Sequence, residues 1–211
     1  MTERPILFRA EMVRAILAGH KTQTRRLIRN PGRLDGFMLA GEEPDWCPYG
    51  RPGSRLWVRE TWGLADHGRL VDPCLNYRAD GSLVAIHAVG NGVAEWTVHG
   101  RQISAEELIR IPDGWRPSIF MPRWASRLTL TIAEVRAERL QEITEADAKA
   151  EGVRSFAPRA SSDRAVFRVG WDAMHGKTPA ARWERNPWVW VVAFKVDLPL
   201  SRDAGCGPEG E

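Results

Sequence analysis

Three places in this chain carry side chains suited to moving protons or holding a nucleotide. The first is "HKTQTRR", where Lys21 and Thr24 stand three residues apart just after Gly19. A turn there brings an ammonium close to a hydroxyl, and a desolvated, neutral lysine can take a threonine proton. Arg25 and Arg26 follow directly and disfavour a charged lysine. Only four of the thirty Lys and Arg residues are lysines. That makes each lysine informative, since lysine can lose its proton and arginine effectively cannot. A solvated basic turn has the same spacing and is the commoner case.

The second place is Glu151, at the end of the helical pattern "TEADAKAE". The negative end of the helix dipole disfavours its ionisation, by about 0.3–1 kcal/mol when exposed. Burial would have to supply the rest of any shift toward a useful acid or base; otherwise Glu151 is a solvent-facing carboxylate beside Lys149. The third place is the strand end "WVRETW", with Arg59, Glu60 and Trp62. Trp62 is a candidate for base stacking. Its ordinary alternative is core packing, and for Arg59 and Glu60 a surface ion pair.

The elements that must position these groups follow from periodicity. "PILF" (5–8) reads as a strand, and "RAEMVRAILAG" as a helix with Met12, Val13, Ile16 and Leu17 on one face and Gly19 as its stop. A polar loop covers 29–50. "RPGSRLWVRE" is a turn into a strand with Leu56 and Val58 on one face, and "NYRADGSLVAIHA" a hairpin. From about 89 to 120 the pattern dissolves, as in an insertion or long loop.

Leu128, Leu130 and Ile132 then alternate along a strand long enough to bend around a small barrel. "ITEADAKAEGV" is a helix with Thr144 and Asp147 at capping spacing and Gly152 as its stop. "VFRVGWDAMHG" is an amphipathic helix with Val166, Val169 and Ala173 on its apolar face and Trp171 nearby. "NPWVWVVAFKVDL" is a strand covered on both faces. These elements predict an α+β, β-dominated fold. They describe one domain over 1–199, with insertions near 29–50, 89–120 and 153–164 and a frayed tail at 200–211.

Composition sets the outer limits. With 43% hydrophobic and 27% charged residues in 211, the chain can bury a real core. A net charge of +3 and a pI near 9.0 are compatible with a polyanionic partner without requiring one. Cys47, Cys74 and Cys206 are too few and too scattered for a disulfide framework, and no CxxC or HxxxH spacing announces a zinc; no metal or cofactor is expected, although the sequence leaves a carboxylate-bound divalent ion open. No apolar run is long enough to span a membrane and no signal peptide is evident, which predicts a cytoplasmic protein with no membrane partner. Walker, GxGxxG, GxSxG and HExxH motifs are absent.

Together "ILAGHKTQTRRLI", "GRPGSRLWVRE", "LQEITEADAKAEGV" and "WVWVVAFKV" resemble the ASCH family of the PUA-like superfamily, in the expected order from about residue 5 to 197. "CPYG" and "MPRWASR" are similar to the longer members encoded by phages and prophages. The resemblance implies a small PUA-like β-barrel with flanking short helices and loop insertions. It also implies amide cleavage of N(4)-acetylcytidine or a related modified nucleoside or nucleic acid, with Thr24 as nucleophile, Lys21 as its base or electrostatic partner and Glu151 handling protons at the leaving amine. Arg25, Arg26, Arg59, Glu60 and Trp62 become candidate contacts to a modified pyrimidine nucleoside, RNA or single-stranded nucleic acid. Ser54 stands where that family usually carries Asp. Other ASCH proteins are RNA-binding modules or ribonucleases, so a non-catalytic reader and a nuclease remain alternatives. Nothing in the sequence fixes the oligomeric state.

Overall fold

The computed structural model describes residues 3–33, 47–65, 74–88, 95–99, 101–111, 114–155 and 157–197. The tail at 200–211 with Cys206, and the stretches 34–46 and 89–94 of the expected insertions, lie outside the described residues. The chain opens with β1 (Glu3–Leu7), α1 (Ala10–Leu17) and β2 (Gln23–Leu27). Next come β3 (Arg55–Arg59), β4 (Trp62–Ala65), β5 (Cys74–Tyr77), β6 (Leu83–Ala85), β7 (His87–Ala88), β8 (Glu95–Val98), β9 (Arg101–Ser104) and α2 (Ala105–Ile109). The last elements are β10 (Thr129–Arg139), α3 (Glu145–Ala150), α4 (Asp163–His175) and β11 (Trp188–Asp197).

The fold is α+β and β-rich, as expected. A five-stranded sheet runs in the order β1-β3-β10-β11-β2, beside two three-stranded sheets, β4-β5-β6 and β7-β8-β9. None of these sheets closes into a barrel among the described residues. Two compact units emerge, one of Met1–Arg4, Arg14–Leu56 and Leu130–Val196, the other of Pro5–Val13, Trp57–Thr129 and Asp197–Glu211.

In the first unit β11 pairs antiparallel with β2, Thr24 lying opposite Val192 and Arg25 opposite Val191. Val189 and Val191 of β11 share a core with Leu140, Ala148 of α3, and Phe167 and Trp171 of α4. The apolar run of β11 thus fills the middle of a sheet with α3 and α4 against it. The buried set of α4 is Asp163, Phe167 and Trp171 at four-residue spacing, and Val169 is 70% exposed. The expected Val169 face is wrong because two residues from Trp171 is about 200° around a helix. Leu17 is likewise exposed on α1, where Val13 and Ile16 face inward.

In the second unit Trp62, Leu75, Tyr77, Ile86, Val98, Ile103 and Leu108 form a separate core. The 89–120 region is therefore more than a loop. Its described part supplies β8, β9 and α2, strands of only four residues that leave little periodicity to read. Ser104 caps α2 in a box with Glu107. Cys74 is disulfide-bonded and Cys47 is a buried free thiol, so the expected absence of a disulfide framework leaves room for this single bridge. Among the described residues no helix is long and apolar enough to cross a membrane.

Candidate active site

The turn after α1 is folded onto the helix it leaves. The amides of His20 and Lys21 both donate to the Ala15 carbonyl, at 2.8 and 3.0 Å, and Gly19 takes φ +73° to allow it. This wrapping directs Lys21 toward the end of α3, where Lys21 and Glu151 form an isolated antiparallel bridge and the Thr22 amide donates to Ala150 at 2.9 Å. On the other side Thr144 caps α3 through a reciprocal box with Asp147. Two segments 130 residues apart thus meet at their ends.

Lys21 is 1% exposed. Its Nζ donates to Glu151 Oε2 at 2.7 Å, to the Gln23 carbonyl at 2.8 Å and to the Glu151 carbonyl at 2.9 Å. Three acceptors need three N–H donors, which only the ammonium form has. Burial lowers its pKa below the ordinary lysine value, the Glu151 carboxylate opposes that, and Arg26 and Arg25 add to the lowering. The resting group is therefore a charged lysine whose burial weakens its hold on its proton, with the Glu151 carboxylate in contact as an acceptor.

Glu151, 7% exposed, faces a second cation. Arg25 Nη1 lies 3.4 Å from Oε1, on the side away from Lys21. Two positive charges thus flank the Glu151 carboxylate at the end of α3. Arg25 is 4% exposed, and its guanidinium also pairs with Glu138 and lies 3.4 Å from Asp147. Arg136 donates to Glu138 at 3.0 Å and to Asp147 at 3.1 Å, and Gln23 donates to Asp147 at 3.2 Å. Around Lys21 there is consequently a closed network of alternating charge.

This network corrects one expectation. Arg25 is not a rim contact for phosphate, because three carboxylates already surround it. Arg26 is half-buried, within electrostatic reach of Tyr49 and Glu151, and burial lowers its pKa. Thr24 is 3% exposed on β2, but strand alternation turns it away from the face of Gln23 and Arg25. Its hydroxyl is not hydrogen-bonded to Lys21 or Glu151. The structure therefore joins two of the three expected catalytic residues directly, while Thr24 faces the other side of β2.

Glu138, Asp147, Arg136 and Gln23 were missed in the sequence. One signal was available: Glu134, Arg136 and Glu138 alternate at period two, and Arg136 bonds both glutamates. A cleft of about 440 Å³ runs along the outer side of the bridge, bordered by His20, Thr22, Lys149 and Arg154; Lys21, Thr24 and Glu151 do not line it.

The other expected contacts belong to the second unit and are structural. Glu60 is 1% exposed and takes a two-pronged grip from Arg127, at 2.9 and 3.0 Å. Burial raises the Glu60 pKa and Arg127 opposes it. Arg127 also donates to Asp80 at 2.9 Å and lies 4.2 Å above the Tyr77 ring. Trp62, 1% exposed, packs edge-on against Trp124 and offers no open face for a stacked base. Arg59 donates to the carbonyls of Ile119 and Met121, bracing that segment.

Among the described residues no three His, Cys, Asp or Glu side chains are grouped to hold a metal ion. Compared with models of known protein families, with curated proteins and with solved structures, the chain matches none. The site's own chemistry therefore has to carry the functional reading.

Proposed function

We propose that this chain is an ASCH-type protein of PUA-like architecture that hydrolyses the amide of an N(4)-acylated cytidine or a related modified nucleoside or nucleic acid. The observation that supports this reading most is the buried Lys21–Glu151 pair at 2.7 Å. Titratable groups of opposite charge, desolvated together, are an arrangement suited to acid–base work.

The reaction follows from that pair. Lys21 passes a proton to Glu151 Oε2, leaving a neutral amine beside a neutral carboxylic acid, an exchange that burial favours. The amine then takes the Thr24 hydroxyl proton as the oxygen attacks the acyl carbonyl. Glu151 delivers its proton to the departing N4 amine as the C–N bond breaks. Glu151 then takes a proton from the water that attacks the acyl-threonine ester and passes it to the departing Thr24 oxygen, which releases the carboxylic acid and restores the charged Lys21–Glu151 pair. The scheme requires the Thr24 hydroxyl to come within reach of Lys21 when substrate binds, and catalytic hydrogen bonds commonly tighten only at that stage.

Incubation with N(4)-acetylcytidine should release cytidine, at a rate lost in Glu151→Gln and in Thr24→Val, which keeps the threonine's shape. Circular dichroism should show both variants folded. Absence of turnover by the wild type ends the hydrolase reading, and a fully active Thr24→Val removes Thr24 as nucleophile.

A further inference from the structure

Lys21 and Glu151 are buried on one side of their bridge, and on the other side the same two segments border the open cleft of about 440 Å³. That volume lies in the range of small-molecule sites. His20, Thr22, Lys149 and Arg154 are its polar lining. Its apolar part is Gly19 with Ala146 and Ala150, which stand four residues apart and so are neighbours on one side of α3. Among the described residues no acidic side chain lines it.

The acids closest in sequence are engaged elsewhere. Glu145 accepts from the Ser162 hydroxyl and the Asp163 amide, each at 2.7 Å. Asp147 is held by Thr144, Gln23 and Arg136, and Glu151 by Lys21 and Arg25. Asp163 lies 2.5 Å from Arg154 Nε and so balances the one guanidinium charge on the wall. The carbonyls at the end of α3 are occupied too. The Gly152 amide donates to that of Lys149, the Thr22 amide to that of Ala150, and the Lys21 ammonium to that of Glu151. The groups that oppose an anion at a helix C-terminus are thus already satisfied.

One cation and a few donors are left over. Lys149 is exposed, and its ammonium has no partner among the described residues. The Thr22 hydroxyl likewise makes no hydrogen bond among them. The His20 ring is held through Nδ1, 3.1 Å from the Ser155 hydroxyl, which leaves Nε2 uncommitted. With Ser155 donating to Nδ1, Nε2 carries the ring proton and is a donor. The walls are fixed in advance: the Phe194 amide of β11 donates to the Thr22 carbonyl at 2.8 Å, and Arg154 donates to the Pro158 and Ala160 carbonyls. A ligand therefore has little of the site to order.

We infer that this cleft binds a small organic carboxylate with an apolar body. The carboxylate sits on Lys149, with Thr22 and His20 as further donors, and the body lies against Ala146, Ala150 and Gly19. A single unbalanced positive charge matches a monoanion, whereas a phosphate at neutral pH carries close to two negative charges and would be half neutralised. The alanine methyl groups suit an alkyl or aryl group and would leave a polar one without hydrogen bonds. No side chain of the buried Lys21 network takes part, so the inference stands independently of the hydrolase reading.

Amide NMR titration of the full chain with hexanoate tests it, beside hexanol, its uncharged counterpart, and inorganic phosphate. Hexanoate should shift the Thr22, Lys149 and Ala150 amides with a Kd of about 1 mM, as expected of so small a ligand. Hexanol should bind about fivefold more weakly, and phosphate should leave these amides in place. Lys149→Gln should weaken hexanoate binding to the level of hexanol, and Ala146→Leu should fill the cleft and abolish binding. Both positions are exposed and both new residues are good helix formers, so both variants should keep the wild-type fold. Lys177→Gln removes the same charge from an exposed position that does not line the cleft, and should bind as wild type. No shift at about 10 mM hexanoate, equal binding of hexanol, phosphate moving these amides in place of hexanoate, or wild-type affinity in Lys149→Gln or Ala146→Leu would overturn the inference.

Discussion

At Asp147 burial and hydrogen bonding pull in opposite directions. Burial alone would raise the pKa; bonds from the Thr144 hydroxyl and amide, with Gln23 and Arg25, outweigh it and hold the carboxyl at about 2, against an ordinary 3.8. A depressed carboxylate pKa contributes stability that is present above the ordinary value and lost as pH falls through the folded one. Asp147→Asn should therefore melt below wild type near neutral pH, with the gap closing between about pH 4 and pH 2. Thermal melts across that range check it, and a gap that persists unchanged at the acid end would mean the cost is steric. Lys21 gives a larger effect. Truncating one partner of a buried ion pair costs about 3–5 kcal/mol. Because Glu151 keeps Arg25, Lys21→Met should fall near the lower end, about 3 kcal/mol, in urea unfolding. Lys21 and Glu151 were singled out by the resemblance carried in "HKTQTRR" and "TEADAKAE"; residue type and spacing alone favoured a solvated turn and a solvent-facing carboxylate, because burial is not written in either stretch. Arg25 was misread because its carboxylates lie more than 110 residues away, on β10 and α3.

The junction of α1, α3 and the turn depends on one backbone position. Gly152 has φ +83°, and a Cβ there would lie 2.9 Å from the Lys21 Cβ and 3.0 Å from the Ala15 Cβ. Gly152→Ala should cost about 1–2 kcal/mol from the left-handed backbone, plus about 1–3 from overpacking. It should also abolish turnover without removing any ionisable group. Gly81→Ala is the control, at φ +72° with nothing within 4 Å, and should show the backbone cost alone. Equal destabilisation of the two variants would remove the packing argument. Local chemistry announced α3, through Thr144 and Asp147, and β11, through its apolar run. The alternation of Leu128, Leu130 and Ile132 announced β10 as well, but not its change of phase, where Ile132 and Val135 are both buried, three apart, around exposed Ala133 and Glu134. That shift of phase puts Arg136 and Glu138 where they meet Arg25, and alternation read from one end of a strand cannot foresee it.

Across the whole molecule, β-rich α+β character was readable because each long strand carries its own pattern. The division into two cores was not. Its boundaries fall inside β1, α1, β3, β10 and β11 rather than in polar linkers, and the short strands of the second unit gave too few positions to alternate. The reader residues chosen from sequence failed for the same reason: Glu60 and Trp62 look like a polar strand end until the second core encloses them. Leu75 and Leu140 test the separateness of these cores. Each is fully buried, in clusters that share no residue. Leu75→Ala and Leu140→Ala should each cost about 2–5 kcal/mol, the spread reflecting how far each site collapses. Substitutions without shared partners add to within about 0.5 kcal/mol. The double variant should therefore lose the sum of the two, measured by urea unfolding at a constant denaturant slope. A coupling well beyond that margin would show that the cores respond as one packed body.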